Sequence, residues 1–161
     1  MSTPATNPIP HGMHSLTPHL VCDGAAAAIA FYEKAFGAVE LFRLPTPDGR
    51  LMHAMVRIGD SPLMLVDHFE QMGALAPSGP GAARVTLHLS VPDVDATVQR
   101  ALAAGATLRL PVADMFWGAR YGVVQDPFGH QWSVATQVRD LSPEEIGAAM
   151  TTQAPADCPG A

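Results

Sequence analysis

LTPHL (residues 16–20) and VTLHL (residues 85–89) repeat one another, and their shared Thr, His and Leu lie 69 positions apart in each case. Each copy leads into an alanine-rich stretch with helical spacing, which ends near Gly37 in the first copy and near Gly105 in the second. Because half of a 161-residue chain is too short for a core of its own, the two copies are expected to be halves of one fold. A site in such a fold is expected to take side chains from both halves.

Each half is predicted to contain a strand, a helix and three further strands. Apolar and polar residues alternate in VTLHLSV (85–91), which indicates a strand whose polar face carries His88, and the same register places His19 on the equivalent face of the first copy. Asp93 is predicted to cap the second helix. Helical spacing predicts a buried face on each helix, formed by Ala28, Ile29, Tyr32, Ala35 and Phe36 in the first and by Val94, Val98, Ala101 and Leu102 in the second. The six remaining strands are predicted over residues 39–44, 51–58, 63–66, 107–112, 121–125 and 131–136. The predicted fold class is therefore α+β, with two βαβββ modules.

Proline and glycine are frequent near both ends of the chain and in its middle. The predicted organisation is a disordered leader over residues 1–13, a single domain over 14–138, and a short helix with a disordered tail over 139–161. Within the domain, module 1 covers about residues 14–70, a linker covers 71–83 and module 2 covers about 84–138. The capping box Ser142-Pro143-Glu144-Glu145 predicts the start of the terminal helix.

Composition and charge argue against several classes of partner. The net charge of −6 disfavours nucleic acid and anionic membranes, and it favours either a cationic ligand or simply solubility. No apolar run approaches the roughly 20 residues that cross a bilayer, so no membrane contact is expected. The N-terminus lacks a signal-peptide pattern, and the two cysteines, Cys22 and Cys158, do not suggest a structural disulfide. A cytoplasmic protein is expected.

Three segments, in this order, resemble the PhnB-like branch of the vicinal oxygen chelate superfamily, which includes glyoxalase I, extradiol dioxygenases, and fosfomycin and bleomycin resistance proteins. They are LTPHLVCDGAAAAIAFYEKAFGA (16–38), DGRLMHAMVRIGDSPLMLVD (48–67) and DMFWGARYGVVQDPFGHQWSVAT (114–136). The resemblance implies that the modules form a half-open mixed-sheet barrel and that the protein is a homodimer. PhnB-like proteins have often carried a methyltransferase label, but no glycine-rich nucleotide loop follows a strand here to support that activity.

The resemblance also implies four metal-ligand positions. In this sequence they hold Thr17, Met64, Thr86 and Ser133. A divalent metal requires imidazole nitrogen or carboxylate oxygen, so the prediction is that the protein has no metal cofactor. The alternative is a displaced site, in which His19, His53 and His88 hold one divalent metal such as zinc, iron, nickel or manganese.

The segment DMFWGARYG (114–122) concentrates chemically versatile side chains. In one interpretation Trp117 stacks on a planar ligand, Arg120 clamps a carboxylate or phosphate, and Asp114 orients Arg120 or accepts a ligand proton. In the other, the segment is a rigid corner in which Arg120 pairs with Asp114 and Trp117 fills the barrel. The resemblance places this segment at the barrel mouth, which supports a role in lining the pocket.

The predicted function is small-molecule binding in the barrel without metal, as in bleomycin resistance proteins, with a cationic or aromatic ligand. The predicted contacts are His19, His53, His88, Asp114, Trp117 and Arg120. The alternative is a metal-dependent lyase or dioxygenase of the glyoxalase type that uses the displaced histidine site. A third possibility is an interaction module whose pocket has closed. The sequence identifies no catalytic residue.

Overall fold

The computed structural model describes residues 8–79, 82 and 85–152, and the chain divides into two compact units. The first unit comprises the residues up to 76, except for 34–36. The second unit comprises residues 34–36 and the residues from 77 onward. The first module runs β1 (His19–Cys22), α1 (Ala25–Phe36), β2 (Val39–Pro45), β3 (Leu51–Ile58) and β4 (Ser61–Asp67). The second module runs β5 (Thr86–Ser90), α2 (Val94–Ala103), β6 (Thr107–Asp114), β7 (Ala119–Gln125) and β8 (Gln131–Gln137), and is followed by α3 (Pro143–Thr152). The predicted α+β class and the two βαβββ modules are confirmed.

Each module forms a four-stranded mixed sheet of the same topology. The strand order is β1-β4-β3-β2 in the first sheet and β5-β8-β7-β6 in the second. The outer pairs β1–β4 and β5–β8 are parallel, and the other neighbours are antiparallel. Among the described residues no strand of one sheet is hydrogen-bonded to a strand of the other, so the two sheets are not closed into a barrel.

For the six strands predicted by range, six of the twelve boundaries agree with the structure and the other six differ by one or two residues. Strand β4 begins at Ser61, two residues before its predicted start, because the reversal of the chain is completed by Gly59, whose φ is 59°. Strand β6 extends to Asp114, and β7 begins at Ala119. The segment 114–122 is therefore part of a β-hairpin, whereas the strands predicted on either side of it ended at residue 112 and began at residue 121.

One buried carboxylate organises the first module. The N–H groups of Gly24 and Ala25, at the start of α1, donate to Oδ1 of Asp67 at 3.0 and 2.8 Å. The N–H of Leu51, at the start of β3, donates to Oδ2 of the same side chain at 2.6 Å. Asp67 at the end of β4 thus joins the start of the helix to the start of a neighbouring strand. Helix α1 buries the predicted residues Ala28, Ile29, Tyr32, Ala35 and Phe36, and it also buries Ala25 and Phe31.

At the start of helix α2, the hydroxyl of Thr136 has the role that the carboxylate of Asp67 has at the start of α1. Oγ1 of Thr136 accepts a hydrogen bond from the N–H of Val94 at 2.8 Å, and Asp93 caps the helix as predicted. The predicted buried residues Val94, Val98 and Ala101 are confirmed. Leu102, predicted with them, is half-buried. Thr97 is buried in the stripe, because its hydroxyl donates to the carbonyl of Asp93 at 2.8 Å.

The ends of the chain and the linker are described only in part. Residues 1–7 of the predicted leader, residues 80, 81, 83 and 84 around the linker, and the tail from residue 153 with Cys158 lie outside the described residues. Cys22 is buried, as its strand register predicted. The capping box is confirmed, since Glu145 accepts from the N–H of Ser142 at 2.7 Å and donates its own N–H to the Ser142 hydroxyl at 3.2 Å. Every helix in the described part of the chain is too short or too polar to span a membrane.

Candidate functional site

The face of the second sheet that points away from α2 carries a polar pair. His88 on β5 lies opposite Ser133 on β8, and Nδ1 of the imidazole is 2.8 Å from the serine Oγ. Ser133 is buried, whereas His88 is exposed. Ser133 is one of the four residues at the ligand positions that the resemblance implies, and its hydroxyl contacts the ring of His88. The sequence placed both residues on strands but did not identify their contact.

Four rings follow one another along the same face. The His88 and Tyr121 rings are nearly parallel, 17° apart, with centroids separated by 6.3 Å. Trp117 meets Tyr121 edge to face at 5.5 Å, and Phe116 meets Trp117 in the same way at 5.0 Å. We call these four side chains the aromatic row. Tyr121, Trp117 and Phe116 are each half-buried, so the row combines fixed ring positions with access to solvent.

A tight hairpin positions Phe116 and Trp117. Gly118 has a φ of 92°, and its carbonyl accepts the N–H groups of Val138 and Arg139, both at 2.9 Å. A Cβ at position 118 would lie 2.5 Å from the carbonyl oxygen of Arg139, so only glycine allows this approach. Gly122 is enclosed in the same hairpin, because a Cβ there would lie 2.9 Å from Cγ2 of Val112. Both glycines therefore serve the backbone geometry that presents the row.

Arg120 is held by two carboxylates on the other face of the sheet. Its Nε and Nη2 donate to both oxygens of Asp95 on α2, at 2.6 and 2.8 Å, and its Nη1 donates to Asp114 at 3.2 Å. Hydrogen bonding to Asp95, and then to Asp114, raises the pKa of Arg120 above its ordinary value, and the same contact lowers the pKa of Asp95. Because successive residues of a strand point to opposite faces, Arg120 is turned away from Tyr121. The sequence had identified Asp114 as a partner but missed Asp95.

The first sheet carries a second group of rings, centred on two histidines. The rings of His19 on β1 and His53 on β3 are perpendicular, with centroids 5.4 Å apart, and Phe42 packs on His53 at the same centroid distance. Met64 on the intervening strand lies directly opposite His19. Burial, and then the proximity of His53, lowers the pKa of His19. We call His19 and His53 the histidine pair.

The structure thus distributes the six predicted contact residues over three places. The histidine pair belongs to the first unit, and His88 and Trp117 share the aromatic row of the second. Asp114 and Arg120 are brought together, but on the α2 side of the second sheet. Three further residues contact His88 or Trp117 or lie next to them in the row: Tyr121, Phe116 and Ser133. The sequence had not proposed Tyr121 as a ligand contact. Its position next to Arg120 in an alternating strand was the available signal.

The residues at the four family ligand positions do not fit a divalent metal. They are Thr17, Met64, Thr86 and Ser133, which offer hydroxyls and a thioether in place of imidazole or carboxylate groups. Ser133 is engaged by His88, and Thr86 accepts a hydrogen bond from Gln131 at 3.0 Å. Oγ1 of Thr17 is buried without a hydrogen-bond partner in the described part of the chain. Over residues 8–79, 82 and 85–152 no three His, Cys, Asp or Glu side chains are grouped in a way that suits a metal ion.

Comparison with known proteins relates the whole domain to others. An uncharacterised protein of Mycobacterium tuberculosis is 54% identical over 142 residues, which cover 86% of this chain and 84% of that protein. The crystal structure of TioX from Micromonospora has a TM-score of 0.63 and 27% identity, and the match covers 77% of this chain and 98% of TioX. The structure of the PhnB protein from Bacillus cereus has a TM-score of 0.60 and 16% identity, covering 76% of this chain and 99% of that one, and indicates a shared fold.

A family model supplies the assignment itself. The model described as "Glyoxalase/Bleomycin resistance protein/Dioxygenase superfamily" matches residues 10–134, which is more than three quarters of the chain and includes both modules. The match agrees with the doubled βαβββ topology and with the resemblance of the three sequence segments. The chain belongs to the glyoxalase/bleomycin resistance protein/dioxygenase superfamily.

Proposed function

We propose that this protein binds a small planar molecule, cationic or aromatic, at the aromatic row and without a resident divalent metal. The observation that carries the proposal is the unbroken series of ring contacts from His88 through Tyr121 and Trp117 to Phe116. The superfamily includes bleomycin resistance proteins, so sequestration of the ligand is the form of binding we favour. No catalytic residue is proposed.

The geometry of the row suits a flat ligand. Trp117 and Tyr121 stand at 80° to one another, so a planar molecule that stacks on one ring presents its edge to the other. Such ring contacts contribute about 0.5–1.5 kcal/mol each beyond the area that they bury. Since the rings already contact one another, little side-chain freedom is lost when the ligand binds.

The charges of the second module favour a cation over an anion. Arg120 is matched against two carboxylates, Asp95 and Asp114, so the three groups together carry a net charge of −1. The sequence interpretation in which Arg120 clamps an anionic ligand would require it to give up these partners. A cation above the face of Trp117 gains about 0.5–2 kcal/mol from the ring alone. The overall charge of −6 increases its local concentration further.

The polar end of the row gives the ligand an orientation. Contact with Ser133 fixes Nδ1 of His88, so Nε2 is directed for a hydrogen bond to the ligand. The histidine pair of the first module stays a predicted ligand contact in this proposal. Partial burial, and then the proximity of His53, lowers the pKa of His19, which favours the neutral ring that can accept or donate a hydrogen bond.

Tryptophan fluorescence tests the proposal directly, because the chain has two tryptophans with different surroundings. Trp117 lies in the row, whereas Trp132 is buried and donates to Asp126 at 2.9 Å. We expect ethidium, a planar cation, to quench the emission of the Trp132→Phe variant saturably and to raise its melting temperature. We expect Trp117→Leu to weaken binding measured by calorimetry about tenfold, the equivalent of one stacking contact.

Two further ligands and one control variant make the result decisive. The anionic aromatic 8-anilinonaphthalene-1-sulfonate is expected to bind more weakly than ethidium, and tetramethylammonium, which is not aromatic, more weakly still. Trp132→Phe is the matched control for Trp117→Leu and is expected to keep the wild-type affinity. Two results would contradict the proposal. The first is that Trp117→Leu binds ethidium with the same affinity as the wild-type protein. The second is that none of the three probes binds saturably.

Metal analysis separates the proposal from a metal-dependent lyase or dioxygenase. We expect protein purified without a tag or chelator to contain zinc, iron, nickel and manganese far below one equivalent. Near-stoichiometric metal that is lost in His53→Ala would instead favour the displaced histidine site.

A further inference from the structure

The face of the first sheet that carries the histidine pair also carries two methionines. His19 on β1 lies directly opposite Met64 on β4, and Met64 in turn lies directly opposite Met55 on β3. His53 precedes Met55 by two residues on the same strand, so both side chains project from this face. Two imidazoles and two thioethers are therefore gathered on three neighbouring strands of one module.

The spacing of the two imidazole rings matches that of two ligands of one ion. Strand β4 lies between β1 and β3, and strands on either side of a third are about 10 Å apart, yet the ring centroids of His19 and His53 are 5.4 Å apart. Both rings therefore lean over β4. An imidazole nitrogen lies about 2 Å from a bound metal ion and the ring centroid about 1 Å farther, so two rings on one ion have centroids about 5–6 Å apart.

Met64 is placed to be the third ligand. It belongs to the strand over which the two rings lean, and side chains of directly opposite residues begin about 5 Å apart, within reach of a flexible thioether. Met64, Met55 and His53 are half-buried, whereas His19 is exposed. The group is therefore open to solvent on the side of β1, and Met55 lies beside Met64 as a second thioether.

These ligands select a soft, singly charged ion. Thioether sulfur selects Cu(I), and imidazole also suits copper. A divalent ion such as zinc takes three or four ligands of imidazole, thiolate or carboxylate type, but no third His, Cys, Asp or Glu joins the histidine pair in the part of the chain that the structure describes. The lowered pKa of His19 favours the neutral ring, which is the form that binds a metal.

The second module lacks this set of ligands. At the positions 69 residues further along the chain, Gly122 stands in place of His53 and Ser133 in place of Met64. His88 contacts the serine hydroxyl at 2.8 Å instead of a second imidazole or a thioether. Of the two repeats, only the first therefore combines two imidazoles with a thioether on one face.

We propose that His19, His53 and Met64 form a binding site for one Cu(I) ion. This site differs from the divalent site that the sequence suggested, because a thioether takes the place of His88 and a monovalent ion needs no carboxylate. It uses no residue of the aromatic row, so it goes beyond the proposed function. Met64 stands at one of the ligand positions that the resemblance implies, and the thioether that does not fit a divalent metal there is the ligand that selects copper.

Anaerobic titration with Cu(I) in competition with the chelator bicinchoninate tests the site on the full chain. Cys158→Ser serves as the parent of every sample, because a thiolate would compete for the ion, whereas Cys22 is buried and is left in place. We expect the parent to bind one Cu(I) per chain and to bind zinc more weakly. His53→Ala and Met64→Leu are each expected to raise the dissociation constant for Cu(I) at least ~10-fold, because each removes one ligand.

His14→Ala and Met72→Leu are the matched controls. His14 belongs to HGMH (11–14), which also combines imidazoles with a thioether, and Met72 is 63% exposed in the short helix Glu70–Met72. Both variants are expected to keep the affinity of the parent, and circular dichroism confirms that each variant is folded. NMR of isotope-labelled methionine methyl groups adds a measurement on the parent itself. The Met64 signal is expected to shift when Cu(I) binds, and the Met72 signal is expected to stay in place.

Three outcomes would rule out this site. The first is a parent protein that takes no Cu(I) from bicinchoninate. The second is binding that is lost in His14→Ala and kept in folded His53→Ala, which would place the ion in the N-terminal segment. The third is zinc binding as tight as that of Cu(I) and unchanged in Met64→Leu, which would mean a divalent site of histidines.

Titration of ethidium into the same parent protein keeps the two proposals apart. Ethidium binding without Cu(I) binding would remove the copper site and leave the proposed function standing. Cu(I) binding without ethidium binding would remove the proposed function and leave the copper site.

Discussion

The two modules share an architecture but differ in the chemistry placed on it. Asp67 and Thr136 lie 69 positions apart, like the repeated histidines, and both hold the first turn of their module's helix. The carboxylate accepts three backbone N–H groups, whereas the threonine hydroxyl accepts one and donates to the carbonyl of Val91 at 2.9 Å. A position that anchors backbone can thus exchange one polar group for another while the fold is kept.

The faces have diverged further than the anchors. His19 lies opposite Met64, and His88 lies opposite Ser133, again at matching positions of the repeat. The serine binds its histidine, and the second module adds three aromatic side chains next to it. The first module instead brings a second histidine to the first. We infer that duplication preserved the scaffold and left the two faces to acquire different ligand chemistry.

Removal of the carboxylate anchor should give the largest loss of stability. Asp67→Ala leaves three backbone N–H groups without their acceptor in a largely buried place, so we expect a loss of about 3–5 kcal/mol in the free energy of unfolding. Thr136→Ala removes a single acceptor for a helix N–H and should cost about 1–2 kcal/mol. Urea denaturation of both variants measures the difference.

Asp67→Asn is the control for shape. It keeps an oxygen for the N–H groups of Gly24 and Ala25 but turns an amide toward the N–H of Leu51, so its stability should fall between wild type and Asp67→Ala. Equal losses in the free energy of unfolding for Asp67→Ala and Thr136→Ala would show that the two side chains stabilise their modules equally, contrary to this prediction.

The next effect concerns the hairpins of the two modules. Gly49 and Gly118 also lie 69 positions apart, and both have left-handed φ, of 86° and 92°. A Cβ meets nothing within 4 Å at position 49 but lies 2.5 Å from the Arg139 carbonyl oxygen at position 118. Gly49→Ala should therefore cost about 1 kcal/mol for its backbone conformation alone, and Gly118→Ala about 3 kcal/mol because the clash is added.

Gly147 has neither a positive φ nor a Cβ clash, so its alanine variant is the control for Gly49→Ala and Gly118→Ala. Gly147 lies inside α3 at negative φ, with nothing within 4 Å of its Cβ position, so Gly147→Ala should be neutral or slightly stabilising. Thermal unfolding of the three variants gives the order. If Gly118→Ala were no less stable than Gly49→Ala, the contact between the hairpin and residue 139 would not constrain the aromatic row.

Local signals made much of this fold predictable from the sequence. The alternation over residues 85–91 predicted strand β5, the spacing of α1 predicted its buried face, and Asp93 and the capping box marked helix starts, because each pattern acts within a few residues. The contacts of the site lie farther apart along the chain. Asp95 and Arg120 are 25 residues apart, and His88 and Ser133 are 45 apart. Only the packing of α2 and the parallel register of β5 and β8 bring them together.

The smallest expected effect concerns the pKa values of two exposed carboxyl groups, Asp48 in the first module and Asp95 in the second. Hydrogen bonds from Thr46, and then from Arg50, lower the pKa of Asp48 in the first module to about 2, and Arg120 lowers the pKa of Asp95 in the second. A carboxyl whose pKa is lower in the folded state stabilises the fold above its ordinary pKa, and this contribution disappears as the pH falls through the folded value. For Asp48 that window runs from its ordinary value of 3.8 down to about 2.

Carbon-detected NMR titration measures both carboxyls in one sample. We expect Thr46→Val to raise the pKa of Asp48 toward 3.8 without moving that of Asp95, and Arg120→Gln to do the reverse. Both groups are exposed, so the melting temperature should change little and the difference from wild type should vanish below about pH 2. An Asp95 that titrates at its ordinary value in the wild-type protein would mean that Arg120 is not held by α2 in solution. Arg120 would then be available to an anionic ligand, contrary to the proposed cationic or aromatic one.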